Sequence, residues 1–204
     1  TLLNRIVGTK VSIVSPKVQT TRTRVLGIAL DGNAQLIFID TPGIFAPKRK
    51  LDKAMVRLAW SSISGADFVL IMVDAVYGIE PELLDFLEKL KSHKGKPIII
   101  LNKIDLLSPE KLLKLTNEIA NKCGDITILS LSALKGQGCD NLVRYLCDNS
   151  PEGNWCYEED EMTTAPMRFL ATEITREQLF LNLHDELPYN LMVDTEGWEE
   201  ATIC

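Results

Sequence analysis

The sequence predicts an α/β fold, a doubly wound and mostly parallel sheet over residues 1–150, followed by the opening of a smaller α+β unit. Three observations carry this. Pro97-Ile98-Ile99-Ile100-Leu101 is a short apolar run that stops abruptly at Asn102-Lys103-Ile104-Asp105, as a fully buried central strand does. After one hairpin, strand-like runs alternate with helical patterns, which argues for parallel pairing through helical crossovers. Polar clusters at Asp40, at Asn102 and Asp105, and at Ser132-Ala133 all directly follow strand-like runs. In an open parallel sheet they gather along one edge, where such sheets bind ligands.

Leu2, Leu3, Ile6 and Val7 are spaced for a helix, which Gly8-Thr9-Lys10 ends. The chain opens without a capping signal or a Met, so it is expected to start inside an element, as a fragment would. Residues 12–24 follow, with basic and hydroxyl groups interleaved in Gln19-Thr20-Thr21-Arg22-Thr23-Arg24. Such a segment can contact phosphate; a solvated surface loop is the other interpretation. Val25–Leu30 and Ala34–Ile39 are strands joined by Asp31-Gly32-Asn33, a hairpin signal. The second strand delivers Asp40-Thr41-Pro42-Gly43, where an Asp can orient magnesium-bound water and a Gly lets backbone N–H approach a terminal phosphate. Turns favour the same residues.

Phe45–Lys53, rich in Lys and Arg, is expected to be a mobile, solvated loop. A helix over Leu51–Ser64 and a buried strand over Asp67–Asp74 come next. Pro81–Lys91 is expected to be a helix with Leu83, Leu84, Leu87 and Leu90 on one face. Ser108-Pro109-Glu110 caps a helix to about Cys123, which Gly124 ends. Ile126–Ser130 is the last strand of this unit, and Asp140–Cys147 the closing helix. Residues 151–165 form an acidic linker, containing Glu158-Glu159-Asp160-Glu161. Pro166–Leu187 should be one amphipathic helix with Leu170, Ile174 and Leu181 on its apolar face, and Leu191-Met192-Val193-Asp194 should begin a strand. Residues 166–204 alone cannot bury a core, so the second unit is expected to be incomplete.

Composition is that of a globular protein, with 46% hydrophobic and 25% charged residues. No apolar run is long enough to cross a bilayer as a helix. Five cysteines without a C-x-x-C pair fit reduced thiols better than disulfides or zinc. The net charge of −6 is unevenly placed: from Pro151 onward 13 acidic residues face two basic ones, leaving the rest basic overall. That acidic quarter lacks the footprint of a nucleic-acid surface.

Asn102-Lys103-Ile104-Asp105 suits a purine with guanine's edge. An ionised carboxylate can accept both N1–H and N2–H, the Asn amide can reach N7, and the Lys stem can lie over the ring. Adenine would leave that carboxylate unpaired, at a cost of roughly 1–3 kcal/mol. A strand followed by an Asn/Asp turn would have the same letters.

Together, Thr1-Leu2-Leu3-Asn4, Gln19-Thr20-Thr21-Arg22, Asp40-Thr41-Pro42-Gly43, Asn102-Lys103-Ile104-Asp105 and Ser132-Ala133 resemble a TRAFAC-class GTPase. Arg168–Glu177 and Glu186-Leu187-Pro188-Tyr189 resemble the start of the KH-type RNA-binding domain of the Era family, and the resemblance covers nearly the whole chain. It implies a P-loop GTPase fold and a GTP-hydrolysing switch using GTP or GDP with magnesium. Asn102, Lys103 and Asp105 would bind the base, and Ser132-Ala133 would point backbone N–H groups at guanine O6. Thr21, or its neighbour Thr20, would be the switch threonine, with Thr21 and Asp40 serving magnesium. Thr41, Pro42 and Gly43 would line the phosphate side, Gly43 sensing the γ-phosphate. Ile44 stands where Ras-like enzymes keep a water-orienting glutamine, so no catalytic base is assigned.

The family also implies small-subunit ribosomal RNA and a ribosome precursor as partners, a cytoplasmic location, and a peripheral contact with the inner membrane. Two departures qualify this. G-x-x-x-x-G-K-[ST] is missing, so the chain is expected to begin one residue past the phosphate cradle and to lack the first strand; the KH signature G-x-x-G is missing too. The alternative is a truncated, non-enzymatic fragment or scaffold that keeps the fold. The 204-residue chain, expressed as given, is expected to bind GTP poorly. Micromolar or tighter GTP affinity with magnesium, measured by calorimetry, would contradict this.

Overall fold

The structure, a computed structural model, describes residues 1–17, 20–43, 50–79, 81–183, 187 and 191–199. Gln19, Ile44, residues 45–49, Glu186, Pro188 and Tyr189, on which several expectations fall, lie outside these.

β4 (Lys96–Asn102) is the driest element: Ile98, Ile99, Ile100 and Leu101 are at most 1% exposed. Its β-branched run pairs in parallel on both sides, with β3 (Phe68–Asp74) and β5 (Thr127–Ser130), as a strand buried on both faces must. Its side chains alternate between two cores. Ile99 and Leu101 join Leu83, Leu87 and Leu90 of α3 (Pro81–Leu90), Ile119 of α4 (Pro109–Cys123) and Ile63 of α2 (Lys50–Ile63). Ile98 and Ile100 join Leu142 and Leu146 of α5 (Cys139–Asn149), with Leu2 and Ile6 of α1 (Leu2–Val7) packed beside them. Helices therefore cover both faces of the parallel sheet, the doubly wound arrangement expected.

The hairpin of β1 (Val25–Asp31) and β2 (Ala34–Asp40) is antiparallel and in register from Val25 opposite Asp40 to Asp31 opposite Ala34. Among the described residues no ladder joins β2 to β3, so the strands form two sheets instead of one. They still share a core, because Leu36 of β2 packs with Ile98, Ile100 and Leu142. α1 lies against β1, where Gly27 makes room for it: a Cβ there would stand 2.6 Å from Leu3 Cδ1.

Several expectations need correction. Leu84 of α3 is 38% exposed, outside the apolar face assigned to it, because the contact stripe follows Leu83, Leu87 and Leu90. α2 begins at Lys50, so Lys50 and Lys53 are helical. The acidic segment 151–165 is exposed over most of its length and is also tied to the hairpin. Gln35 accepts from the N–H groups of Cys156 and Tyr157, Ile28 N–H donates to the Met162 carbonyl at 2.8 Å, and the Thr163 hydroxyl donates to the Leu26 carbonyl at 2.6 Å.

The last helix, α6 (Met167–Asn182), stops short of Leu187, and Leu183 is already extended. Its buried residues are Arg176, Glu177 and Phe180, while Ile174 and Leu181 are 41% and 44% exposed. Apolar spacing named the wrong face because this helix docks on a basic loop, where polar groups find partners. No strand forms over Leu191–Asp194, since none of the described residues offers it a ladder partner.

Gly138, with φ +77°, precedes α5, and a Cβ there would lie 2.4 Å from the Ser130 carbonyl oxygen. Gly138→Ala is expected to destabilise the fold by about 1–3 kcal/mol in urea denaturation. Gly153→Ala, in open space, should be close to neutral.

Candidate functional site

The end of β4 is held by its own first polar residue. Asn102 Oδ1 accepts from the N–H of Lys103 at 2.8 Å and from the N–H of Ala133, just beyond β5, at 3.0 Å. This side chain thus locks together the two loops that sequence reasoning brought to one edge. Asp105, in a single 3-10 turn over Ile104–Leu106, is exposed and makes no hydrogen bond or ion pair among the described residues. The carboxylate keeps all its acceptor capacity for a ligand. Lys103 has a left-handed backbone, and its ammonium is 2.6 Å from Asp74 Oδ2 at the end of β3. That hydrogen bond holds the Lys103 pKa above the usual lysine value.

The Ser132 expectation needs correcting. Ser132 is fully buried, and its N–H donates to the Gln137 carbonyl at 2.8 Å. Its hydroxyl accepts from Lys135 N–H, and its carbonyl from Gly136 N–H. A short turn with so many unpaired backbone groups spends this residue on itself. Ala133 N–H is likewise taken, by Asn102.

The second cluster surrounds Asp40 at the end of β2. Ser12 Oγ donates to Asp40 Oδ2 at 2.6 Å. Burial pushes the Asp40 pKa up, opposed by the Ser12 hydroxyl and, less, by the hydroxyl of Thr21, which lies near the carboxylate. Thr20 faces elsewhere: its hydroxyl donates to the Lys17 carbonyl at 2.7 Å, and its own carbonyl accepts from Arg176 Nη1 at 2.8 Å. Of the two threonines, the structure brings Thr21 to Asp40. Pro42 is buried, Thr41 half-buried and Gly43 exposed.

α1 links the two clusters. The Asn4 side chain accepts from Val11 N–H at 3.0 Å and Ser12 N–H at 2.8 Å, and donates to the Ser12 carbonyl at 2.6 Å, which aims Ser12 at Asp40. The adjacent Arg5 reaches the other way, to the carbonyls of Ala133 at 3.3 Å and Leu134 at 2.5 Å.

Among the described residues of this segment, Val11, Ser12 and Ile13 are buried, and several basic side chains dock on α6. Lys10 pairs with the buried carboxylate of Glu177, and Lys17 donates to the Phe180 and Leu183 carbonyls at the end of α6. Arg22 and Arg176 each lie 5.3 Å from the centre of the buried Phe180 ring, a double cation–π contact. Arg176 also pairs with Glu173 at 2.5 Å.

Residues 1–103 match the family described as 50S ribosome-binding GTPase. The chain belongs to this GTPase family. Its likeness is to Era: GTPase Era of Agrobacterium fabrum is 51% identical over 200 residues, 98% of this chain. The chain spans 63% of that relative's length. A crystal structure of Era in complex with MgGDPNP and nucleotides 1506–1542 of 16S ribosomal RNA matches at TM-score 0.88 and 42% identity, covering 92% of this chain and 64% of that one. Era of Aquifex aeolicus bound to GDP.AlF4- matches at TM-score 0.87 and 41% identity over the same shares. The fold is thus the P-loop GTPase fold.

Sequence reasoning missed the contacts of Arg5, Ser12, Asp74 and Arg176. Arg176 and Glu177 carried a signal, charged residues inside a helix whose apolar stripe was thin. Arg5, Ser12 and Asp74 carried none, since their partners lie far away in the chain.

Because the folded-state pKa of Asp40 is raised, its contribution to stability is greatest below the ordinary carboxylate range and falls as pH rises through the raised value. Asp40→Asn is expected to raise the nucleotide-free melting temperature at neutral pH. The gain should shrink as pH falls and vanish below the ordinary carboxylate range, and thermal denaturation as a function of pH checks the slope.

Proposed function

We propose that this chain carries the base-reading and switch portion of an Era-type GTPase. The full-length protein binds GTP and GDP with magnesium, hydrolyses GTP, and acts in small ribosomal subunit assembly through ribosomal RNA. The carrying observation is the Asn102–Ala133 bond at 3.0 Å, which sets a free Asp105 carboxylate beside two locked strand ends. Asp105 accepts guanine N1–H and N2–H, Asn102 keeps its amide N–H for N7, and Lys103 covers the ring. Because the Ser132 and Ala133 N–H groups are engaged, guanine O6 falls to the next one, that of Leu134, which has no partner among the described residues.

Magnesium fits the Asp40 cluster. Its carboxylate is half-buried, with its pKa pushed up by desolvation, and a cation would favour the ionised form. Among the described residues no group of three or more His, Cys, Asp or Glu could hold a metal alone, which suits an ion shared with phosphate oxygens. Thr21 and Asp40 would hold it, Asp40 through water, and the ion would neutralise phosphate charge. Thr41, Pro42 and Gly43 line the phosphate side, with Gly43 meeting the γ-phosphate. Ile44 keeps its position by resemblance alone, and no catalytic base is assigned.

The proposed division is a GTPase domain over residues 1–150, a linker over 151–165 and the start of a KH-type domain over 166–204. Contacts of α6 with Lys10, Lys17, Thr20 and Arg22 support communication between the outer two. The RNA partner rests on the likeness to Era, one of whose solved structures holds 16S ribosomal RNA. A cytoplasmic setting is supported by four free cysteines among the described residues. No helix among them is long and apolar enough to cross a membrane, and a peripheral inner-membrane contact rests on resemblance alone.

In the full-length protein, Asp105→Asn is expected to weaken GDP binding by about tenfold or more, since it removes an ionic acceptor from two donors. It should improve binding of XDP, whose base carries an acceptor where guanine has the amino group. Calorimetry with both nucleotides decides, and unchanged GDP affinity would defeat the assignment.

A further inference from the structure

Lys103 is the one residue other than glycine with a left-handed backbone among the described residues, at φ 65° and ψ 32°. That conformation costs a lysine about 1–2 kcal/mol, so its surroundings must impose it. On the backbone side Asn102 Oδ1 accepts the Lys103 N–H, and on the side-chain side Asp74 takes the ammonium. Asp74 ends β3 and stands opposite Asn102 in the parallel register. Its second oxygen accepts the Val76 N–H at 3.0 Å, while its carbonyl accepts from Tyr77 and Gly78 N–H. The carboxylate is thus oriented by its own turn before Lys103 meets it.

The side chains of the pair are 53% and 24% exposed, so the contact adds little to fold stability. Its geometry has another use. A stem fixed at the end of β4 and tethered at the end of β3 presents its methylenes across the strand-end edge, as one apolar wall. An untethered lysine would lose about 2 kcal/mol of side-chain freedom on covering a ring, and the tether removes part of that loss before any ligand arrives.

We propose that Asp74 is a positioning residue for nucleotide binding: by anchoring the Lys103 ammonium it holds the stem as one wall of the base site, without touching the nucleotide. This rests on the guanine reading of the site. Asp74→Asn separates it from a role in the turn, because the amide still offers an oxygen to Val76 N–H but has lost the charge.

The test uses the full-length protein, with calorimetry for GDP affinity and a fluorescent GDP for dissociation. Asp74→Asn is expected to weaken GDP by about threefold or more through faster dissociation, at an unchanged melting temperature. Lys103→Ala should also weaken it, and the Asp74→Asn/Lys103→Ala double variant should be no weaker than Lys103→Ala alone. Unaltered dissociation in Asp74→Asn, or losses that add in the double variant, would overturn the proposal. Asp105→Asn, measured in parallel with GDP and XDP, tells the two failures apart. If it leaves base preference unmoved, the guanine reading falls and this proposal with it. If it shifts preference while Asp74→Asn changes nothing, only Asp74 loses its role.

Discussion

Exclusion of water from the centre of β4 is the constraint from which the site follows. Four consecutive residues, Ile98 to Leu101, are packed from both sides by helices and paired along both edges. No polar side chain can sit in such a strand without a costly unpaired group, so polar chemistry is displaced to its carboxyl end. There Asn102 is half-buried and spends its carbonyl oxygen on two backbone donors, which ties the β4 and β5 ends into one rigid edge. Asp105, left outside this knot, is free to meet a ligand.

α1 extends the same rigidity to the second cluster. It is six residues long and would be marginal alone, yet Leu3 and Val7 are buried against the hairpin. From neighbouring positions Asn4 and Arg5 reach in opposite directions, one to the loop that presents Ser12 to Asp40, the other to the Ala133 turn. The Asn102 cluster and the Asp40 cluster are thereby joined through a single turn of helix. α6 adds a third body, because the loop bearing Thr20 and Thr21 rests on Arg176, Glu177 and Phe180. A movement of Thr21 toward a ligand would have to be accommodated by that packing.

Much of this was legible in advance, for identifiable reasons. Apolar runs with turn signals placed β1 to β5 and α1 to α5 to within a few residues, because local periodicity and burial agree there. Asp40, Asn102, Asp105 and Ala133 stand at strand ends as expected, and strand ends converge in any parallel sheet. Legibility failed where polar groups are buried by partners. α6 was assigned an apolar face that is largely exposed, and the polar segment from Ser12 to Arg24 was by itself better described as a solvated surface loop. Ser132 was given to the ligand although its turn consumes it.

The sequence by itself determined the class of fold, the order of its elements through α5 and the polar cluster at the end of β4. Those depend on patterns within a few residues, which local physics turns directly into structure. Only the tertiary structure decided that Thr21 rather than Thr20 meets Asp40, that Asn4 aims Ser12, that Asp74 tethers Lys103, and that Arg176 carries the loop. Each is a contact between residues distant in the chain or a choice between adjacent ones. Such outcomes depend on which group is desolvated and what stands opposite it, and no periodicity encodes that.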